Sequence, residues 1–133
     1  MQKIREQLRR IKRLPHSRLK VAVEDNEVTV TLPNGRHQHI EIKREGDQYV
    51  FTSIVLGKAE TDRIKWLDFA KRVWDRNRQS DVVAFHLDER DRLVGCIAQW
   101  VKTVDLEELQ FYLACLAREC DRMEYLLTGQ DAR

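Results

Sequence analysis

The sequence predicts an α+β protein: a helix, an antiparallel four-strand meander, a second helix, a β-hairpin and a long C-terminal helix packed on the sheet. Three patterns predict this order. Apolar side chains recur at every second position over much of the stretch from Leu19 to Leu56, which is typical of strands. Asn34-Gly35 supplies a hairpin turn between two such runs. From Leu106 to Leu127 the apolar residues instead recur at steps of three and four, the spacing of one helix face.

The first helix is predicted over residues 2–14, ending before Pro15, and it is unusually basic. Ile4, Leu8 and Ile11 form a narrow apolar stripe, so one side of the helix is expected to lie on an apolar surface. Most of the remaining positions are cations: Lys3, Arg5, Arg9, Arg10, Lys12 and Arg13. The helix is therefore predicted to be peripheral and to present positive charge outward.

Four strands are predicted to follow as a meander. Asp25-Asn26 and Asn34-Gly35 are turn residues that tolerate positive φ, and Gly46-Asp47 turns the chain into the fourth strand. In that fourth strand, from Tyr49 to Leu56, apolar residues lie on both faces, which is typical of a strand covered on both sides. The second face therefore needs cover, either from another layer of this chain or from another chain.

A second helix and a hairpin are predicted next. The helix starts at Thr61 or Asp62 and ends near Arg78. Its broad apolar face consists of Trp66, Leu67, Ala70, Val73 and Trp74. Two tryptophans on one face predict a core helix. The hairpin pairs residues 82–87 with residues 93–100 across an acidic turn, and its second strand also has apolar residues on both faces.

The C-terminal helix has explicit end signals. Asp105 is predicted to cap its first turn while Glu108 reaches back, and Gly129 marks its end, so residues 129–133 are expected to form a loose tail. Its apolar seam is Leu106, Leu109, Leu113, Leu116, Cys120, Met123 and Leu127. The side away from this seam carries Phe111, Cys115 and Tyr125. Both sides of the helix are therefore expected to be covered by apolar surfaces.

Length and composition indicate one globular domain over residues 1–133. A hydrophobic fraction of 42% beside 35% charged residues is enough to build a core in a water-soluble chain. Cys96, Cys115 and Cys120 are odd in number and form no C-x-x-C motif, so a disulfide framework is not predicted. The sequence offers no signal peptide and no apolar run that could span a bilayer. The expected location is the cytoplasm.

The sequence lacks the motifs that most enzymes and nucleotide-binding proteins need. Gly57-Lys58 follows an apolar strand, but Thr52 stands where a phosphate-binding loop requires glycine. The serines lie outside any G-x-S-x-G motif, and the acids of the hairpin turn share one wet environment instead of two different ones. No enzyme activity, cofactor or small-molecule substrate is therefore predicted.

Two histidines form the best metal-ligand pattern in the sequence. His37 and His39 project from the same side of the third strand and could hold zinc if His16 or Cys96 came near. No third ligand stands close in sequence, so a solvated strand face is the expected outcome and no metal site is predicted. His86 is expected to be an ordinary core or edge histidine.

The basic residues are concentrated at the N-terminus. Residues 1–20 carry eight basic side chains and one acidic one, although the whole chain has a net charge of +2. Such a helix can approach nucleic acid, an anionic membrane surface or an acidic protein, and it can equally dock on its own body or on a second copy. No aromatic residue interleaves the cations, and no helix-turn-helix or zinc-finger pattern follows. A solvated or partner-facing helix is therefore favoured over a nucleic-acid contact.

The order of elements and two short patterns resemble those of a known group of bacterial proteins. Residues 103–109 (TVDLEEL), 120–124 (CDRME) and 127–129 (LTG) are similar to the ending D-P-E-E-L … A-D-x-L-E … L-T-G of the type III secretion chaperone-like fold. That fold is shared by secretion chaperones and YbjN-like proteins. Residues 74–77 and 82–88 also match, whereas Leu106 stands where the family often has proline and the first helix is unusually basic.

The resemblance implies a homodimer that binds an extended segment of another protein without ATP. The residues predicted to contact that partner are Val50, Ile54, Trp66 and Trp100, and an exposed sheet edge is a further possible contact. The alternative is a nucleic-acid-associated regulator. Its phosphate contacts would be Lys3, Arg5, Arg9, Arg10, Lys12 and Arg13.

Overall fold

The structure, a computed structural model, confirms the α+β class and the predicted order of elements. It describes residues 2–11, 13–14, 19–25, 27–80 and 82–129, with the backbone alone for residues 2, 3, 13 and 14. The helices are α1 (Gln2–Arg9), α2 (Lys58–Thr61), α3 (Trp66–Gln79) and α4 (Leu106–Thr128), with a 3₁₀ turn at Val101–Thr103. The strands are β1 (Arg13–Leu14), β2 (Leu19–Glu24), β3 (Glu27–Thr31), β4 (His37–Glu45), β5 (Gln48–Leu56), β6 (Ala84–Leu87) and β7 (Leu93–Trp100).

The strands form one antiparallel sheet in the order β1-β2-β3-β4-β5-β7-β6. The predicted meander is β2 to β5, and the predicted hairpin adds β7 beside β5 and leaves β6 at the edge. Gly35 and Gly46 take the positive φ values that the tight turns of the meander require. The buried apolar residues form one hydrophobic core. The assignment of a single domain stays a prediction.

One face of the sheet is covered by α4. The middle of its seam is buried, from Leu109 to Met123. On the sheet side, the ring of Phe51 lies 5.8 Å from that of Tyr112. Gly95 marks the closest approach, because a Cβ atom built there would lie 2.5 Å from the sulfur of Cys120. The heptad spacing therefore identified the helix face that packs on the sheet.

A buried ionic cluster ties the turn between β3 and β4 to α4. The guanidinium of Arg36 donates to Glu124 at 2.9 Å and forms an ion pair with Asp121 at 2.7 Å. All three side chains are largely withdrawn from solvent. Burial raises the pKa of Glu124, while the Arg36 guanidinium acts in the opposite direction. Two carboxyl groups therefore depend on one cation inside the protein.

The ends of α4 are where the sequence predicts them. The Asp105 carboxylate accepts from the amide of Glu108 at 2.8 Å, which is half of the predicted capping box. The carboxylate of Glu108 accepts from the Tyr112 hydroxyl at 3.2 Å. Gly129 adopts φ 66° and donates its amide to Tyr125. Residues 130–133 of the predicted tail lie outside the described residues. None of the described helices is long and apolar enough to span a membrane.

The prediction that the first helix runs to Leu14 was wrong. The helix ends at Arg9, and Arg13–Leu14 pairs with Lys20 and Leu19 as a two-residue edge strand. Bonds from Arg10 to Gln7 and from Ile11 to Leu8 tighten the last turn. The three residues of the apolar stripe are buried, as predicted: Ile4, Leu8 and Ile11. At Arg13–Leu14, pairing with the edge of β2 therefore outweighs the helical propensity of the sequence.

The prediction of a core helix over residues 61–78 was also wrong. A short α2 comes first, and α3 follows after a turn at residues 62–65. Phe69 is the fully buried side chain that α3 contributes among the described residues, whereas Trp66 and Trp74 are 68% and 61% exposed. Arg76 of α3 forms a bidentate ion pair with Glu119 of α4. The helix is thus attached at the margin of the core by charge and by one aromatic ring.

Side chains close the outer edge of β6. Asn77 of α3 accepts from the Phe85 amide at 2.7 Å and donates to the Phe85 carbonyl at 2.9 Å, as a neighbouring strand would. Ser80 accepts from the amide of Val83 at 3.1 Å. The opposite edge of the sheet is the two-residue strand β1. Short or capped edges of this kind discourage the addition of another strand.

Replacing Arg36 with methionine should lower the free energy of unfolding by about 3 kcal/mol. The substitution leaves Asp121 and Glu124 buried without their cation, which is more costly than the loss of an exposed pair. Lys43→Met removes the exposed pair with Glu41 and is the matched control, with an expected cost below about 1 kcal/mol. Urea denaturation at neutral pH measures both values.

The deficit of Arg36→Met should also shrink as the pH falls. A carboxyl group whose pKa is raised in the folded state contributes stability below that pKa and loses it as the pH rises through it. Removal of Arg36 takes away the charge that lowers the pKa of Glu124, so protonation relieves more of the cost in the variant than in the wild type. Equal deficits at neutral and mildly acidic pH would contradict this charge-based role.

Replacing Asn77 with alanine should open the edge of β6. Two hydrogen bonds to Phe85 are lost, at a cost of about 1–2 kcal/mol, and the freed amide and carbonyl become available to another chain. Urea denaturation and concentration-dependent light scattering measure the two effects. Gln79→Ala, at an exposed position near the end of the same helix, is the control. Unchanged stability and an unchanged mass in Asn77→Ala would show that the edge needs no such protection.

Candidate functional site

The face of the sheet opposite α4 carries an apolar strip along its two central strands. Strand alternation and the register of β5 with β7 place the following side chains on this face: Val50, Thr52, Ile54, Val94, Cys96, Ala98 and Trp100. Strand β4 borders the strip with His39, Glu41 and Lys43, and β6 borders it with His86. We call this surface the open face.

The residues of the open face are far less buried than those on the side of α4. Ile54 is 49% exposed and Trp100 is 57% exposed, while Val50 and Thr52 are half-buried. By contrast, their strand neighbours Tyr49 and Phe51 are almost fully buried. The sequence pattern predicted that both faces of β5 need cover. In the described part of the chain, the second face is instead partly exposed. No second layer of this chain is described over it.

A groove runs over the open face between β4 and the β6–β7 hairpin. Thr52, Ile54 and Val94 lie among its lining residues, and the groove continues beyond the open face to Gln38, Glu60 of α2 and Glu124 of α4, with a total volume of about 910 Å³. Charged and polar side chains border it on both sides: His37, His39, Glu41, Lys43, His86, Glu89 and Arg90. An apolar floor with a charged rim is the usual composition of a protein-binding surface.

A second exposed apolar surface lies on α3. Trp66, Leu67 and Trp74 are exposed by 61–79%, and we call them the α3 patch. Trp66 stacks on Phe69 at 5.9 Å, and the guanidinium of Arg78 lies 4.7 Å from the ring centre of Trp74. These contacts hold the rings in place without covering their outer faces. Three large apolar side chains so close on one short helix are more than a surface helix needs.

Three of the four predicted partner contacts lie on one surface. Val50, Ile54 and Trp100 share the open face, whereas Trp66 belongs to the α3 patch. Sequence reasoning missed Ala98 and Cys96 as neighbours of Val50 and Thr52, because the pairing of β5 with β7 depends on register. It also assigned Leu67 and Trp74 to the core. A warning was present in the charged residues that surround them on α3, such as Asp68, Lys71 and Asp75.

The cations predicted for the first helix have different environments in the structure. Arg5 pairs with Asp25 at 3.2 Å, while Arg9 and Arg10 are exposed. The side chains of Lys3 and Arg13, and the whole of Lys12, lie outside the described residues. Arg5 and Arg9 border a small groove of about 370 Å³ between α1 and β2. The structure thus places Arg9 and Arg10 where an anion could reach them.

The described residues of the open face include one thiol and several imidazoles. The sulfur of Cys96 lies 4.0 Å from Nδ1 of His86, and burial raises the pKa of the Cys96 thiol, which disfavours a reactive thiolate. Burial also raises the pKa of Cys115. His37 and His39 share a side of β4, as predicted. The described residues contain no group of three or more metal-type side chains, and His16 lies outside them.

The acids of the β6–β7 turn act in the turn itself. Asp88 accepts from the amides of Arg90 and Arg92 at 2.9 Å and from the Arg92 side chain at 2.8 Å. The hydrogen bond from the Arg92 side chain is the main reason that the pKa of Asp88 falls to about 2. Asp91 adopts φ 58°. These contacts agree with the structural role that the sequence predicts for the turn.

No protein-family model matches the chain, and no curated protein matches it.

Comparisons with solved structures identify the fold. The chain is similar to YbjN from E. coli, a proposed transcription regulator, at 16% identity and a TM-score of 0.57, with 94% of this chain and 85% of the other covered. It is similar to a chain of the ExoU–SpcU complex from the type III secretion system of Pseudomonas aeruginosa, at 16% identity and 0.55, with 80% and 87% covered. A chain of the ExsC–ExsE complex gives 15% identity and 0.56, with 81% of each chain covered. The protein therefore has the type III secretion chaperone-like fold.

Proposed function

We propose that this protein is a non-enzymatic protein-binding module that acts as a homodimer. In this proposal the open face binds an extended segment of a partner protein, and the α3 patch contacts a second copy of the chain. The partner segment would place apolar side chains on Val50, Ile54 and Trp100. The charged rim of the groove would select its flanking residues.

The observation that carries the proposal is the partly exposed second face of β5 and β7. Ile54 and Trp100 are large apolar residues at opposite ends of this face, and both are about half exposed. Large apolar side chains contribute most to the free energy of binding when a partner buries them at the centre of an interface. Half-buried Val50 and exposed Ala98 lie in register between them and extend the same strip.

The face is favoured over the edge as the binding surface. An extended segment that adds to a sheet edge needs free amides and carbonyls. At β6 those groups of Phe85 are bound to Asn77, and at the other edge the two-residue strand β1 pairs with Leu19 and Lys20, so that residues 21–24 of β2 extend beyond it. A segment that lies across the open face needs neither edge. Its affinity would come from side-chain burial instead of ladder hydrogen bonds.

The α3 patch supports the dimer. Leu67 is 79% exposed, and Trp66 and Trp74 flank it with two large rings. A twofold axis beside such a patch would bury the same residues on both copies, which is the usual geometry of a homodimer. The patch also explains why the sequence pattern suggested a core helix, since a helix buried between subunits has the same composition as a helix buried inside one.

The structural relatives support a role in protein binding at the level of the fold. The ExoU–SpcU and ExsC–ExsE structures are complexes, and the HopA1–SchA structure, at 8% identity and a TM-score of 0.53, is a chaperone–effector complex. The functional step to this chain rests on its own exposed surfaces, because a fold hosts many functions.

The nucleic-acid alternative has the weaker support. Exposed Arg9 and Arg10 would serve as phosphate contacts, but Arg5 is engaged by Asp25. The buried stripe of α1 also makes this helix a part of the core instead of a free basic arm. An electrophoretic mobility assay with a short duplex at low salt, on the wild type and Arg9→Glu/Arg10→Glu, separates the two functions.

Peptide selection tests the binding function directly. A random peptide library displayed on phage is selected on the immobilised wild-type protein, and the affinity of an enriched peptide is measured by fluorescence anisotropy. Ile54→Asp should weaken that affinity at least about tenfold, because it puts a charge on the apolar strip that the partner segment would bury. Trp100→Ala should have an effect of similar size.

The control for this experiment is Tyr125→Asp. Tyr125 is 48% exposed, like Ile54, but it lies on α4 on the other side of the sheet. Its substitution should leave the affinity unchanged. Failure to enrich any peptide would contradict the binding function, and equal affinity for Ile54→Asp and the wild type would contradict the open face as its site.

Light scattering tests the dimer. The wild type should have the mass of a dimer at both low and moderate salt, since apolar burial does not depend on screening. Leu67→Asp should convert it to a monomer while the circular dichroism spectrum stays the same. Tyr125→Asp should remain a dimer. A monomeric wild type would overturn the homodimer, and a dimeric Leu67→Asp would move the interface away from the α3 patch.

A further inference from the structure

Two threonine–histidine pairs stand side by side on the open side of the sheet. In the register of β3 with β4, Thr31 lies opposite His37 and Thr29 lies opposite His39. In each pair the threonine Oγ1 is 3.0 Å from Nδ1 of the histidine. The intervening Gln38 points to the other face and is buried, so the two imidazoles are on the same side and both are exposed. The same contact is thus repeated at two successive positions of one ladder.

The threonines assign different roles to the two nitrogens of each ring. In each pair Nδ1 contacts the threonine hydroxyl, and Nε2 is the ring nitrogen that remains for a ligand on an exposed side chain. A metal ion that binds Nε2 requires the ring proton on Nδ1, and the threonine oxygen is in place to accept that proton. Oriented histidines in metal sites commonly have such a partner for the second nitrogen.

The strand spacing suits a shared ion. Residues two apart in a strand are separated by roughly 6.6 Å. Bonds of about 2.0–2.1 Å from one metal ion to two imidazole nitrogens require those nitrogens to be roughly 3–4 Å apart. The two rings must therefore lean toward each other. Both rings are exposed, so no core side chain has to move for this.

We propose that His37 and His39 bind one late first-row divalent metal ion, Cu²⁺, Ni²⁺ or Zn²⁺, through Nε2 of both rings. Neutral imidazole is a preferred ligand of these ions. The described residues contain no preassembled group of three or more metal-type side chains, so water completes the coordination. The site therefore differs from a closed structural zinc site, which takes four protein ligands. The proposal rests on the histidine geometry and is independent of the proposed function.

Carboxylates lie next to the pair along the same ladder. Glu41 follows His39 on the same side of β4, and Glu27 lies opposite Glu41 on β3. Glu41 is 3.1 Å from Lys43, which offsets part of its charge. Negative charge beside the two rings favours a cation over an anion at this place. His37, His39 and Glu41 also line the groove of the open face, so a bound ion would sit at the rim of that groove.

Calorimetric titration of the untagged, full-length protein with CuCl₂, NiCl₂ or ZnCl₂ in a non-coordinating buffer tests the site. One ion should bind per chain, with Cu²⁺ binding most tightly of the three. His37→Asn and His39→Asn should each weaken binding at least tenfold. Thr29→Val/Thr31→Val keeps the branched shape of both side chains and removes both oxygens. This variant should weaken binding about tenfold, the range expected for loss of the partners that orient metal ligands.

His86→Asn is the matched control, because His86 is another exposed strand histidine on the open face. It should bind the ions like the wild type. Loss of binding in His86→Asn with retention in His37→Asn would assign the ion to His86 and Cys96 and would overturn the proposal. Equal affinity of the wild type and both β4 variants, or no saturable binding, would overturn it as well. Unchanged affinity in the threonine double variant would remove the orienting role of the two pairs.

Discussion

The close packing of α4 on the sheet at Gly95 is the contact on which the rest of the structure depends. With no side chain at this position, the sulfur of Cys120 can lie directly against the backbone of β7. A long helix that sits this close buries one face of the central strands completely, from Ile42 to Ile97. Within the described ranges of the chain, no helix covers the other face of the same strands. The asymmetry of the sheet, and hence the surface left for binding, begins with this contact.

Different interactions hold the helix at different points along its length. Near the middle the contact is apolar and depends on shape, whereas near the C-terminal end it is ionic and depends on Arg36. On its flank, Glu119 holds α3 through Arg76. The buried ionic cluster is costly to desolvate, and the Arg36 guanidinium offsets part of the charge of the two carboxyl groups.

The sequence predicted those features that depend on local pattern. The heptad seam, the Asp105 cap, the Gly129 end and the turn at Asn34-Gly35 are each encoded within a few residues, and all four are present. Features that depend on distant partners escaped it. Arg36 donates to Glu124, which is 88 residues away in the sequence. Asn77 binds the backbone of Phe85, and no side-chain pattern encodes such a contact. The tryptophans of α3 were misassigned because amphipathic spacing identifies an apolar face without identifying what covers it.

Cys120 places a thiol on the covered face of the sheet, where α4 packs on β7. Its thiol lies between the helix and the sheet, and burial raises its pKa, which disfavours the reactive thiolate. A thiol-modifying reagent can therefore reach it when α4 lifts away from β7, and its reaction rate reports the free energy of that opening. Cys96 and Cys115 are partly exposed and would react earlier, which separates their signals in time. Labelling of the natural cysteines can thus measure how often α4 separates from the sheet.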